Sequence, residues 1–152
     1  MTTRVLLAGV LLLPVGLSGC SSATETYCAS LADEKQTLTD LAGSAQAPGA
    51  DAFADSLTVF RRLRDDAPGD IRDEWDTYVF AWEGVTDAFT AAGVNPQDYT
   101  PGTTQGSTPG VTEEQARAIE DAAAELRSPR VLDAGKGIEQ HARDVCKVDL
   151  GL

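Results

Sequence analysis

Few side chains in this sequence are able to do chemistry, and their spacing narrows what they can do. His141 is the only histidine. Nucleophilic catalysis needs an attacking group, a base within hydrogen-bond reach and a partner that orients the base. No serine stands in a nucleophile elbow, and Glu139 and Asp144, close to His141 in sequence, read as an ordinary solvated helix face. His141 is expected to border the core as a half-buried, hydrogen-bonded side chain. The densest carboxylates are Asp65, Asp66, Asp70, Asp73, Glu74 and Asp76. A calcium loop sets its oxygens at fixed positions around a glycine turn; this run lacks that spacing, and Arg64 and Arg72 partly neutralise it. Acidic residues at a helix N-terminus complement its dipole, which accounts for Asp70, Asp73 and Glu74. Trp75, Tyr78, Trp82 and Phe89 recur at helical spacing and read as core. No metal site, no cofactor and no enzymatic activity are expected.

The three cysteines carry a more specific signal. Residues 1–19, "MTTRVLLAGVLLLPVGLSG", hold one basic residue, Arg4, and then an apolar run to Leu17 broken by Gly9, Pro14 and Gly16. A spanning helix needs about 20 apolar residues. A charged start, a short apolar middle and small residues at the end instead describe a secretory signal. Leu17-Ser18-Gly19-Cys20 resembles the bacterial lipobox, in which the cysteine thiol receives a diacylglyceryl group and the peptide is cut just before it. That resemblance implies lipidation of Cys20 and a place on the extracytoplasmic face of the cell membrane. One acyl chain holds a protein only marginally and two hold it stably, at about 0.8 kcal/mol per buried methylene. With Cys20 so used, Cys28 and Cys146 remain, both beyond the membrane where disulfides persist. They are the expected pair; two free buried thiols are the alternative. A loop of this size is worth roughly 4–5 kcal/mol.

Charge limits the partners. Without residues 1–19, which contribute Arg4 alone, 11 basic residues face 24 acidic ones, a formal charge of −13. Such a chain repels nucleic acid and anionic headgroups, so membrane contact is expected through the lipid.

The elements that position these residues read as helices. "TETYCASLADEKQTLTDLA" places Tyr27, Leu31, Leu38 and Leu41 on one face, with Thr24 or Thr26 as its cap. Asp51 is placed to cap a second helix carrying Phe53, Leu57, Phe60 and Leu63 inward. After "DDAPGD", Pro68 suits the first turn of a third helix that ends at Gly93. Thr112 and Gln115 make a capping box for a fourth, with Ala116, Ile119, Ala123 and Leu126 on its apolar stripe. Ser128-Pro129 starts a fifth, lined by Val131, Gly135, Ile138, Ala142 and Val145, where Gly135 and Gly137 allow close approach of a neighbour. The expected organisation is a signal peptide (1–19), a lipidated tether (20–25) and one all-α domain (26–152). That domain is a bundle of about five helices, its first and last joined by a disulfide. Residues 94–111, rich in Gly, Pro and Thr, are expected to form a flexible loop with only Tyr99 tucked back.

"TYCASLADEKQTLTDLA", "APGDIRDEW", "AAGVNPQDY" and "EQHARDVC" together resemble a group of small, uncharacterised actinobacterial lipoproteins. The resemblance spans most of the chain and implies the anchor, the cysteine pair and the helical fold, but no activity. The expected function is a non-enzymatic interaction module of the cell envelope, with an envelope protein as partner; the alternative is a carrier of a small apolar ligand held between helices. Phe80 decides part of this. It lies about 140° around the third helix from Trp75, among Asp76, Glu83 and Asp87. It is expected either to pack a second neighbouring helix, the favoured reading, or to stand exposed as a partner contact.

Overall fold

Apolar residues three and four positions apart produce helices along the chain. The structure, a computed structural model, describes residues 19–44, 50–101 and 108–150, and among these every regular element is helical. The elements are α1 (Gly19–Ser44), α2 (Ala50–Asp66), α3 (Arg72–Ala92), a 3-10 turn (Pro96–Asp98), α4 (Glu113–Leu126) and α5 (Pro129–Asp144).

Polar pairs set the registers. Arg62 pairs with Glu34, and Ser30 Oγ donates to Asp66 Oδ2 at 2.6 Å, so α1 and α2 run antiparallel. Arg61 Nε meets Glu83 Oε1 at 2.8 Å, which turns α3 back along α2. Gln115 Nε2 donates to the Ala91 carbonyl at 3.0 Å at one end of α3, while Gly137 lies against Glu74 near the other. Both α4 and α5 therefore run antiparallel to α3, covering it in tandem: α4 toward its C-terminal end, α5 toward its N-terminal end. Among the described residues the bundle has five α-helices but four rods. The break between α4 and α5 is chemical. Ser128 Oγ caps α5 by accepting from the Val131 N–H at 3.4 Å, and Pro129, lacking an N–H, takes the first helical turn.

Tyr27, Leu31 and Leu38 of α1, Leu57, Phe60 and Leu63 of α2, Trp75 and Val79 of α3, and Ile138 and Ala142 of α5 form one continuous core. The side chains of Leu41, Asp51 and Phe53 lie outside the described residues. Gly93 closes α3 at φ +65°, its N–H donating to the Thr90 carbonyl at 3.1 Å. Thr112 and Gln115 form the reciprocal capping box of α4. At the end of α5, Lys147 adopts φ +59°, and the Val148 N–H donates back to the Ala142 carbonyl at 2.9 Å. This reversal buries Val148 and Leu150 against the core. Cys146, just past α5, is disulfide-bonded to Cys28 of α1 with Cα atoms 5.0 Å apart, within the usual span.

Three local expectations change. First, α1 starts at Gly19, so residues 20–25 are helical and Thr26 Oγ1 bonds back to the Ser22 carbonyl at 3.0 Å instead of capping the helix. Second, α3 starts at Arg72. Pro68 lies in the preceding turn, which Arg72 secures by donating its guanidinium to the Arg64 and Ala67 carbonyls. Third, residues 94–111 are not wholly a free loop. Pro96–Asp98 form the 3-10 turn, Tyr99 packs edge-on to Phe89 with centroids 5.7 Å apart, and buried Thr108 accepts from the Thr100 N–H at 3.3 Å. A backbone polar group taken out of water must find a partner, and these do. The stretch 102–107 lies outside the described residues.

The disulfide closes a loop with a sequence separation of 118. Replacing Cys28 and Cys146 together with serine should lower unfolding free energy by roughly 4–5 kcal/mol, read as a shift in urea midpoint against the oxidised protein.

Candidate functional site

Three places on the bundle hold side chains that packing alone does not account for. The first lies at the disulfide-pinned end. Trp75 Nε1 donates to Tyr27 Oη at 2.8 Å across the core, and both residues are buried. The Tyr27 ring meets the imidazole of His141 edge-on, centroids 5.6 Å apart. His141 Nε2 stands 3.5 Å from Asp70 Oδ2, an ion-pair separation without hydrogen-bond geometry. The expected place of His141 at the border of the core holds, whereas the expected hydrogen bond is corrected. Only 10% of this side chain is exposed, and both ring nitrogens are buried without a hydrogen-bond partner among the described residues. The cause is register: α5 lies antiparallel on α3, which drives His141 against Tyr27 while Asp70, on the adjacent turn, stays largely in water. An imidazole beside a carboxylate orients a base, but it needs a nucleophile to act on. Ser30 is committed to Asp66 and both nearby sulfurs to each other. No group of three or more metal-binding side chains occurs among the described residues.

Burial sets the proton affinities here. Desolvation pushes the Tyr27 hydroxyl up to about 12, against the opposing pull of the Trp75 hydrogen bond and with a smaller upward push from Asp70. Tyr78 is pushed up by the same desolvation, opposed by the nearby Trp82 indole. A neutral phenol suits the core and a phenolate does not.

The second place is where α4 gives way to α5. Their break leaves a shallow apolar groove of about 260 Å³ over α3, walled by Tyr78 and Trp82 and by Leu126, Val131 and Leu132. Gly135 closes its floor; a Cβ there would meet the Tyr78 ring at 3.6 Å. Leu132 is half in water at its lip.

The third place is Phe80. Its side chain is 64% exposed, the most exposed large apolar residue described. The favoured expectation, burial against a second neighbour, is overturned. Among the described residues, the helices packed on α3 sit on the half that carries Trp75, Tyr78 and Trp82: Phe60 of α2 meets those rings edge-on or tilted, and α4 and α5 cover the other flank of Tyr78 and Trp82. Phe80 points the other way, into solvent.

Of the residues picked out by sequence, Cys28 and Cys146 are joined, Phe80 stands alone on an outer face, and the Cys20 side chain lies outside the described residues. The Tyr27–Trp75 bond and the Asp70–His141 approach were missed, because each links positions far apart in sequence with no motif at either end. Leu132 could have been noticed as an apolar residue one step off the α5 stripe. Comparison of the chain with protein families, with curated proteins and with solved structures finds no match.

Tyr27→Phe should cost about 1–3 kcal/mol, since it strands the buried Trp75 N–H; urea unfolding at neutral pH measures this. Alkali gives a second readout. Unfolded tyrosine ionises near pH 10 and Tyr27 in the fold near 12, so its stabilisation is complete below pH 10 and is lost as pH rises from 10 to 12, by about 2–3 kcal/mol. Stability of the Tyr27→Phe variant should fall less steeply over that interval. Phe80→Ala, at an exposed position, should change stability by no more than about 0.5 kcal/mol.

Proposed function

We propose that the mature chain, beginning at Cys20, is a lipid-anchored, non-enzymatic interaction module on the extracytoplasmic face of a bacterial cell membrane. The observation that carries this reading is the pairing of Cys28 with Cys146. It accounts for two of three cysteines and leaves over the one that follows an apolar leader and closes a lipobox-like tetrapeptide. An oxidised pair also suits an extracytoplasmic compartment better than a reducing one. The likeness to small actinobacterial lipoproteins points the same way.

Packing supports an interaction role over a carrier. Trp75, which would roof an internal ligand chamber, is itself only 2% exposed and is packed on Phe60 and Tyr78. The groove beside Trp82 is open and its 260 Å³ falls below the usual range for small-molecule sites. That same groove, with its aromatic wall, is what favours the second reading, a carrier of a small apolar ligand. Native mass spectrometry of the protein taken from its own membrane separates the two, because a carrier retains a bound small molecule.

The anchor has a direct test. In its bacterial host, the N-terminal peptide should begin at Cys20 and carry the mass of a diacylglyceryl group, and Cys20→Ser should move the protein from the membrane to the soluble fraction. An unmodified Cys20 in membrane-bound protein would overturn the anchor. Cross-linking in the intact envelope followed by capture of the anchored protein tests the interaction role; recovery of no protein partner would overturn it.

A further inference from the structure

We infer that the outer face of α3 around Phe80 is a docking surface for a basic polypeptide segment, one that lays the stem of an arginine or lysine across the ring and sets its charge among the surrounding carboxylates. This rests on the reading of the protein as an interaction module and names the chemistry of its partner. The helix places Asp76 and Glu83 one turn to either side of Phe80, and Asp73 and Asp87 two turns away, all on the solvent side. Glu83 is paired with Arg61, and Asp76 stands 4.0 Å from Arg64 while still 58% exposed. Asp73 and Asp87 are exposed and have no ion pair among the described residues. Gly84, one turn on from Phe80, has open space where a Cβ would stand, so one flank of the ring is bare.

Charge complementarity selects the occupant. Of the 11 basic residues that follow the leader, Arg61, Arg62, Arg64, Arg117, Arg130, Lys136 and Arg143 are already engaged with carboxylates of the chain. The acidic surplus therefore has no internal counter-charge, and an acidic partner would be repelled. A neutral apolar partner would have to strip water from Asp76 and Asp87 without pairing them, which is unfavourable. A guanidinium or ammonium group satisfies the carboxylates while its alkyl stem or its charge meets the ring.

The test uses the full-length lipoprotein in non-ionic detergent. The probe is a peptide of alternating arginine and leucine, with a glutamate–leucine peptide of equal length as control, at physiological ionic strength. Amide shifts on titration should concentrate between Asp76 and Asp87, with none from the acidic peptide. Phe80→Ala, which leaves charge unchanged, should weaken binding about tenfold. Asp76→Asn with Asp87→Asn should weaken it and flatten its salt dependence. Glu114→Gln with Asp121→Asn, which removes the same charge from α4, should leave it unchanged. Wild-type affinity in Phe80→Ala, or equal losses from the two double variants, would show attraction to net charge alone and overturn the proposal. The same variant separates this from the broader reading. A partner captured from the envelope equally well by wild type and Phe80→Ala overturns the Phe80 surface and leaves the interaction role standing, whereas no captured partner overturns both.

Discussion

The indole of Trp75 makes two demands, and the bundle is arranged around meeting them. It is the largest of the fully buried side chains, so it must be enclosed on all sides, and its N–H must find an acceptor away from water. Tyr27 supplies the acceptor from α1, 48 positions earlier in the chain, and Phe60 and Tyr78 supply rings from α2 and from α3 itself. An unpaired indole N–H in this position would be costly, so the hydrogen bond favours the same register of α1 that the Glu34–Arg62 and Ser30–Asp66 pairs hold. Cys28 is the residue after Tyr27. Once the Tyr27 hydroxyl is placed on Trp75, Cys28 arrives beside Cys146 as the chain leaves α5, and the covalent bond locks what the hydrogen bond favours.

Asymmetry about α3 follows from the same packing. Three helices crowd one half of it, because the aromatic stripe on that half offers the most apolar area to bury. The other half, from Asp73 to Asp87, is left to water. On that side an exposed phenylalanine is no defect of folding, since single exposed apolar residues are common; it is informative here because the carboxylates around it outnumber the cations that reach them. The break at Ser128-Pro129 has a matching consequence on the covered side. A continuous helix would have sheathed Tyr78 and Trp82, whereas two half-length helices meet over them and leave the groove.

The proposed lipid attachment would act together with this fold. Tyr27 lies level with Trp75, and Cys20 begins only seven residues below it, about 10 Å along a helix. Phe80 stands about 8 Å above Trp75 along α3. Under the proposed attachment at Cys20, the Phe80 face would stand close to the bilayer surface. The acidic surplus of the chain would discourage collapse of that face onto anionic headgroups.

Most of the fold was legible in the sequence because helices are written locally. The three-and-four spacing of Ile71, Trp75, Val79, Trp82 and Val85, the Thr112–Gln115 box and the Ser128-Pro129 start each act within a turn or two. The cysteine pair was legible as well, by count once Cys20 is set aside as the expected lipid site. Tertiary packing decided what depends on the meeting of distant segments. Helical spacing placed Phe80 opposite Trp75 but could not say whether a neighbour would cover it; that depended on α2, α4 and α5 all choosing the richer side of α3. Nor could spacing show that α4 and α5 share one rod, that His141 would be pressed between Tyr27 and Asp70, or that Tyr99 and Thr108 would order the ends of a Gly- and Pro-rich stretch. Local pattern determines which face of a helix is apolar. Which face is buried depends on how many neighbours there are and on where each finds the most area and the fewest stranded polar groups, and only the assembled chain sets those.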